Sequence, residues 1–122
     1  MRQTFINFTN HPSERWDEEQ KMSALKYGDI VDLPFPNVDA AADEAQICDL
    51  AEEYVRKILE KEPCVVLCQG EFSLAYQVIT RLKERGITVL AACSERNVKQ
   101  YSEQGKDIKK EVIFQFRRFR EY

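Results

Sequence analysis

Three short polar clusters interrupt the apolar runs of this chain: Thr9-Asn10-His11, Gln69-Gly70-Glu71 and Ser94-Glu95-Arg96-Asn97. Between them they carry hydroxyl, amide, imidazole, carboxylate and guanidinium groups. That set suits the ribose, phosphate and base edges of a nucleotide-like ligand. His11 is the only histidine. Its side chain type has an unperturbed pKa near neutrality, as a general acid or base requires. Arg96 offers a planar fork for phosphate or carboxylate. Gly70 lets the backbone approach a ligand closely, and a helix starting after it presents free N–H groups to an anion. No P-loop or G-x-G-x-x-G is present, so these groups name a chemistry and not a reaction.

Each candidate has a plainer reading. His11 can be a turn residue with local hydrogen bonds, Glu71 can answer a helix dipole, and Arg96 can sit in a solvated loop. Cys93 precedes Ser94 and would need a thiolate-stabilising partner such as Arg96 or His11 to act as a nucleophile. A buried strand-end thiol is the simpler account. Cys64 and Cys68 share a face of one strand but lie roughly 13 Å apart, too far for a single metal ion. No other cluster has metal-ligand spacing, so neither metal nor cofactor is expected. Arg117, Arg118 and Arg120 interleave with Phe116, Phe119 and Tyr122. This pattern fits a charge-protected edge strand, a dimer contact or a nucleotide grip.

The elements that must position these groups alternate along the chain. Thr4 to Thr9 is β-prone and closed by Pro12. Ser13 can cap a first helix, with Trp16, Met22 and Leu25 as a weak apolar stripe and Gly28 as its end. Asp29 to Leu33 gives a short strand, broken by Pro34-Phe35-Pro36. From about Asp43, residues Ile47, Leu50, Ala51, Tyr54, Val55, Ile58 and Leu59 recur with helical spacing, until Pro63. Cys64 to Cys68 is continuously apolar, as in a strand covered on both faces. A third helix follows Gly70, with Phe72, Ala75, Val78, Ile79 and Leu82 inward and Gly86 at its C-terminus. Ile87 to Cys93 is a second buried strand. Residues 95–110 carry no clear period and read as a loop or a short helix. Val112 to Phe116 is the last strand. The order predicts a single-domain α/β fold over residues 1–122. It is a Rossmann-like three-layer sandwich with a mostly parallel five-stranded sheet and right-handed crossovers. In such sheets ligands bind outside the carboxyl ends of the strands, so the three clusters are expected to meet at one edge.

Composition narrows the function classes. The chain has 122 residues, 43% of them apolar, and a net charge of −3. That balance argues against a sequence-blind grip on duplex DNA. No apolar run approaches the ~20 residues needed to cross a bilayer. The start at Met1 leads almost directly into a strand, without a signal peptide, and the four cysteines read as reduced thiols. A cytoplasmic protein is expected.

The opening Phe5-Ile6-Asn7-Phe8-Thr9-Asn10-His11-Pro12 resembles the Asn-Phe-x-x-His-Pro start of small Rossmann-like proteins encoded beside type III CRISPR systems. Those proteins belong to the CARF and ring nuclease group, which binds cyclic oligoadenylates in antiviral defence. The turn Gln69-Gly70-Glu71 is similar in placement to their second ligand loop. The resemblance implies a homodimer with one ligand, cyclic tetra-adenylate by preference, across its two-fold axis. It also implies metal-independent cleavage, in which the ribose 2′-OH attacks the adjacent phosphate. On this sequence His11 and Arg96 would be catalytic. Thr9, Asn10, Gln69, Gly70, Glu71, Ser94, Glu95 and Asn97 would bind the ligand. Two other functions remain open: a sensor or sponge that binds without cutting, and an unrelated nucleotide-processing enzyme using Glu71 or Glu95.

Overall fold

The computed structural model describes residues 2–102 and 108–122. Its elements in chain order are β1 (Thr4–Phe8), a 3-10 turn (Ser13–Arg15), α1 (Glu18–Leu25), β2 (Asp29–Asp32), α2 (Glu44–Leu59), β3 (Cys64–Cys68), α3 (Phe72–Glu84), β4 (Val89–Ser102) and β5 (Ile108–Glu121). The strands form one sheet in the order β2-β1-β3-β4-β5. The first four run parallel, and β5 returns antiparallel to β4.

The apolar runs of β1 and β3 follow from their central places. Alternate residues of a strand face opposite sides of the sheet. Ile6, Phe8, Val66 and Cys68 pack with α2 and α3, whereas Phe5, Val65 and Leu67 pack on the α1 side. Helices therefore cover both faces, and the protein is a three-layer α/β domain. α2 begins where its sequence says it should. Asp43 and Gln46 form a reciprocal capping box, and Ile47, Ala51, Val55 and Ile58 are buried. Gly86, with φ +76°, ends α3 in a conformation that favours glycine.

Four local expectations need correction. α1 is capped by Asp17 and not by Ser13, which starts the separate 3-10 turn. Of its stripe only Trp16, which precedes the helix, is buried; Ala24 is the buried residue of α1 itself, while Met22 and Leu25 are exposed. Gly28 lies beyond the helix end. A Cβ there would come within 1.9 Å of the Gln3 carbonyl oxygen, so close chain packing explains the glycine. Phe72, expected inside, is 91% exposed at the first position of α3, and Leu74 takes its place in the core.

The largest departure is at residues 95–110, expected to be a loop or short helix. β4 continues unbroken to Ser102, and β5 resumes pairing at Ile108; residues 103–107 lie outside the described residues. Polar residues sit in a strand here because the two-stranded ribbon has no layer to bury them. Its register shifts at Cys93/Ser94, where Cys93 pairs with Arg118 and Ser94 with Phe116. Arg117 is thus the extra residue of a β-bulge. The bulge puts Phe116 and Phe119, three apart in sequence, on the same face, and both join the α1-side core.

That core bends the sheet. Flat spacing of about 4.8 Å per strand would separate β1 and β5 by roughly 14 Å. Yet the rings of Phe5 and Phe119 are 5.2 Å apart, and Phe119 also reaches Trp16 at 6.5 Å. The sheet curls into a half-barrel around these aromatics. No helix of the described residues is long and apolar enough to cross a membrane.

Candidate functional site: an open cleft at the carboxyl edge of the sheet

The strand order reverses direction between β1 and β3, which makes the gap beyond their carboxyl ends the expected crevice. An open cavity of about 580 Å³ lies there. Thr9, Asn10 and His11 after β1, Gln69 and Gly70 after β3, and Ser94 within β4 all line it. His11 and Gly70 therefore share one rim.

A buried polar network builds the β1 side of the cleft. Asn7 is only 1% exposed in the middle of an apolar strand, so each of its polar atoms needs a partner. Its Nδ2 donates to the His11 carbonyl at 2.8 Å and to Asp32 Oδ1 at 2.9 Å. Its Oδ1 accepts from the Thr9 hydroxyl at 2.8 Å. The His11 amide in turn donates to Thr9 Oγ1 at 3.1 Å. Asp32, at the end of β2, accepts from the Ser13 amide and hydroxyl. The turn that carries His11 is thus held to β1 and β2 by side chains, leaving the exposed imidazole at the mouth of the cleft.

The β3 side is held differently. The Gln69 amide donates to Phe8 O at 3.3 Å. Gln69 Oε1 accepts from the Ala92 amide at 2.9 Å. One residue therefore ties β3 to β1 and to β4 across the floor. Gly70 is explained by packing: a Cβ there would stand 2.6 Å from the Phe35 ring, which is buried in the core. Gly70 also borders the cleft, so this packing demand stands beside the expected close approach of a ligand.

Four expected site residues lie outside the lining. Glu71 caps α3: its carboxylate accepts from the Ser73 and Leu74 amides and from the Ser73 hydroxyl. The hydrogen bond from the Ser73 side chain, followed by those backbone bonds, holds its pKa below the ordinary value. The anion at this helix N-terminus is the protein's own. Glu95 pairs with Arg117 at 2.8 Å. Alternation along β4 puts Glu95 and Asn97 on the opposite face from Ser94. Arg96 shares the face of Ser94 but sits further out on the ribbon, opposite Phe114, and does not line the cavity. The arginine that lines the cleft is Arg15.

Arg15, Trp16 and Phe114 also line the cavity and were not legible as site residues, whereas Phe116, which lines it too, belongs to the arginine and aromatic run already read as a possible nucleotide grip. Asn7 had a signal: an amide inside Phe-Ile-Asn-Phe must satisfy its hydrogen bonds somewhere. Asp32 had none, since its role depends on β2 lying beside β1. The thiols of β3 take no part. Burial, aided by Glu62, pushes Cys64 up to about 11, and burial pushes Cys68 up to about 12.

Fold and site together define a single-domain α/β protein with a polar, partly aromatic cleft at the carboxyl edge of a curled, mostly parallel sheet. The model of the family described as "Uncharacterized protein MJ1673 family" matches residues 3–120, and the chain belongs to that family. The description names neither a ligand nor the CARF group. No curated protein matches the chain.

Proposed function

We propose that the cleft binds a cyclic oligoadenylate and that His11 makes the protein a metal-independent ring nuclease in CRISPR antiviral signalling. The observation that carries this reading is convergence. Groups following β1 and β3 and within β4 line one cavity. Its size lies within the range of about 300–1,000 Å³ usual for small-molecule sites. The β1 turn is also the segment that resembles the CARF and ring nuclease group. Trp16 and Phe116 supply aromatic lining, Asn10 and Ser94 polar groups for ribose, and Arg15 positive charge. One open cleft of this size suits part of a ring. Two copies about a two-fold axis would each hold a portion.

In the proposed step the His11 imidazole takes the proton of a ribose 2′-OH. The 2′-oxygen bonds to the adjacent phosphorus, and the P–O5′ bond breaks. The 5′-oxygen leaves as a hydroxyl, with its proton returned by the imidazolium. The product ends in a 2′,3′-cyclic phosphate. The protein's contribution is alignment and charge stabilisation.

Incubation with cyclic tetra- and hexa-adenylate in a chelator, followed by chromatography, tests the reading. Linear products ending in a cyclic phosphate, lost in His11→Ala, are expected. A binding-only sensor or sponge is the second reading. It is favoured by the position of Arg96, since only one of the two residues expected to act on the phosphate lines the cleft. Tightly bound ligand recovered intact would select it. Failure of both rings to bind would refute both.

A further inference from the structure

The cleft does not end at its mouth. Its outer wall is the β4–β5 ribbon, and the ribbon's cleft-facing surface runs on past the sheet. Ser94 pairs with Phe116, Arg96 with Phe114 and Val98 with Val112. Residues paired across antiparallel strands project to the same face, about 5 Å apart. The three pairs therefore form one strip that begins in the cleft and leads outward. Phe116, at the inner end, is 2% exposed; Phe114, one step further, lines the cleft and is still 68% exposed. Arg96 beside it is exposed and has no carboxylate partner among the described residues.

An exposed aromatic ring next to a guanidinium with no carboxylate partner among the described residues is the pairing that grips a single-stranded nucleic acid, with a base stacked on the ring and the backbone phosphate on the cation. We propose that Phe114 and Arg96 form a second nucleotide subsite, continuous with the cleft. The ligand is then an oligonucleotide of at least two units, with one unit in the cleft and the next base on Phe114. Their linking phosphate lies against Arg96. This inference rests on the reading of the cleft as a nucleotide site. It gives Arg96 a binding role after its exclusion from the cavity itself. Continuity with the cleft and the charge of Arg96 favour an oligonucleotide over a second protein chain on this strip.

The test compares AMP with linear di- and tetra-adenylate in direct titrations. Wild type, Arg96→Ala, Phe114→Ala and Phe114→Trp are measured, each checked for an unchanged melting temperature. The readout is the ratio of oligonucleotide to AMP affinity. The expected wild-type ratio is about tenfold or more, the scale of one base stacked on an aromatic side chain. It falls towards one in Arg96→Ala and Phe114→Ala and is kept in Phe114→Trp. A wild-type ratio near one overturns the subsite while leaving the cleft reading intact. Absence of binding by AMP and by both oligonucleotides overturns the subsite, and the reading of the cleft falls with it when cyclic tetra- and hexa-adenylate also fail to bind. Sedimentation of the same proteins supplies the last outcome. If the two alanine variants turn a dimer into monomers with the ratio unchanged, the strip is a contact between copies and the subsite is wrong.

Discussion

The Asn7 network makes the sharpest demand on the structure, and Asn7→Asp probes it with almost no change of shape. The substitution replaces Nδ2, a donor to His11 O and Asp32 Oδ1, with an oxygen that faces two acceptors. Two hydrogen bonds are lost, each worth about 1 kcal/mol and somewhat more for the one to a charged group. A like charge also appears 2.9 Å from Asp32 Oδ1. That repulsion is about 1.4 kcal/mol with the screening of bulk water and about four times larger at an effective dielectric of 20. Asp32 is exposed but position 7 is 1% exposed, so the repulsion falls between the two figures. The expected loss of stability is at least about 3 kcal/mol near neutral pH. The sign of its pH dependence follows from the new carboxyl, whose folded-state pKa is raised above the ordinary ~3.9 by burial and by Asp32. Its neutral form is tolerated and can donate one hydrogen bond. The penalty is therefore small below the unfolded value and grows as pH rises through the folded one. Urea unfolding of wild type and variant at about pH 4 and about pH 8 measures it. A difference below about 1 kcal/mol, or one equal at the two pH values, would show that the network does not hold the turn as described.

Gly70→Ala forces a Cβ against the Phe35 ring. It should cost about 1–3 kcal/mol in denaturant unfolding, with most of the loss recovered in the double variant with Phe35→Leu. Glu71→Ala removes the α3 cap and should cost about 1 kcal/mol at neutral pH. Because the folded pKa of Glu71 is lowered, that contribution is present above the ordinary value of 4.5 and fades as pH falls through the folded value. An unfolding difference that persists at about pH 2 would contradict the carboxylate cap. Cys68, with its pKa near 12, should resist alkylation in the folded protein at about pH 8 and react on unfolding, as followed by mass spectrometry.

Much of the architecture was legible because one signal dominated in each place. Ile47 to Leu59 repeat with helical spacing behind an Asp43 cap, and Cys64 to Cys68 are apolar throughout, so burial and propensity agree. Where signals conflicted, the reading failed. Residues 95–102 look like a loop because polar residues without a period usually are one. Here the cross-strand bonds of a ribbon hold them extended, and such bonds depend on a partner strand six to twenty residues further on. Phe72 looks like core because it fits the helical spacing, yet it occupies the first turn of α3, beyond the edge of the layer beneath. The candidate site divides in the same way. The clusters after β1 and β3 do meet, since parallel strands carry their carboxyl ends to one edge. Glu71 was legible both as a ligand contact and as an answer to the helix dipole, and the structure gives it the second role as the cap of α3, because a helix N-terminus attracts its own carboxylate as readily as a ligand's phosphate.

The sequence by itself determined the alternation of strands and helices, the parallel centre of the sheet and the edge at which Asn10, His11 and Gln69 appear. These follow from periodicity and chain direction, which are local properties. Only the tertiary structure decided that Arg15, and not Arg96, stands at the cleft, that Asp32 braces the turn through Asn7, and that Phe116 closes the wall. Asp32 depends on β2 lying beside β1, and Phe116 on the curl of the sheet and the bulge at Arg117. The curl comes from aromatic rings of β1 and β5 packing together across two intervening strands, a contact that no window of sequence contains.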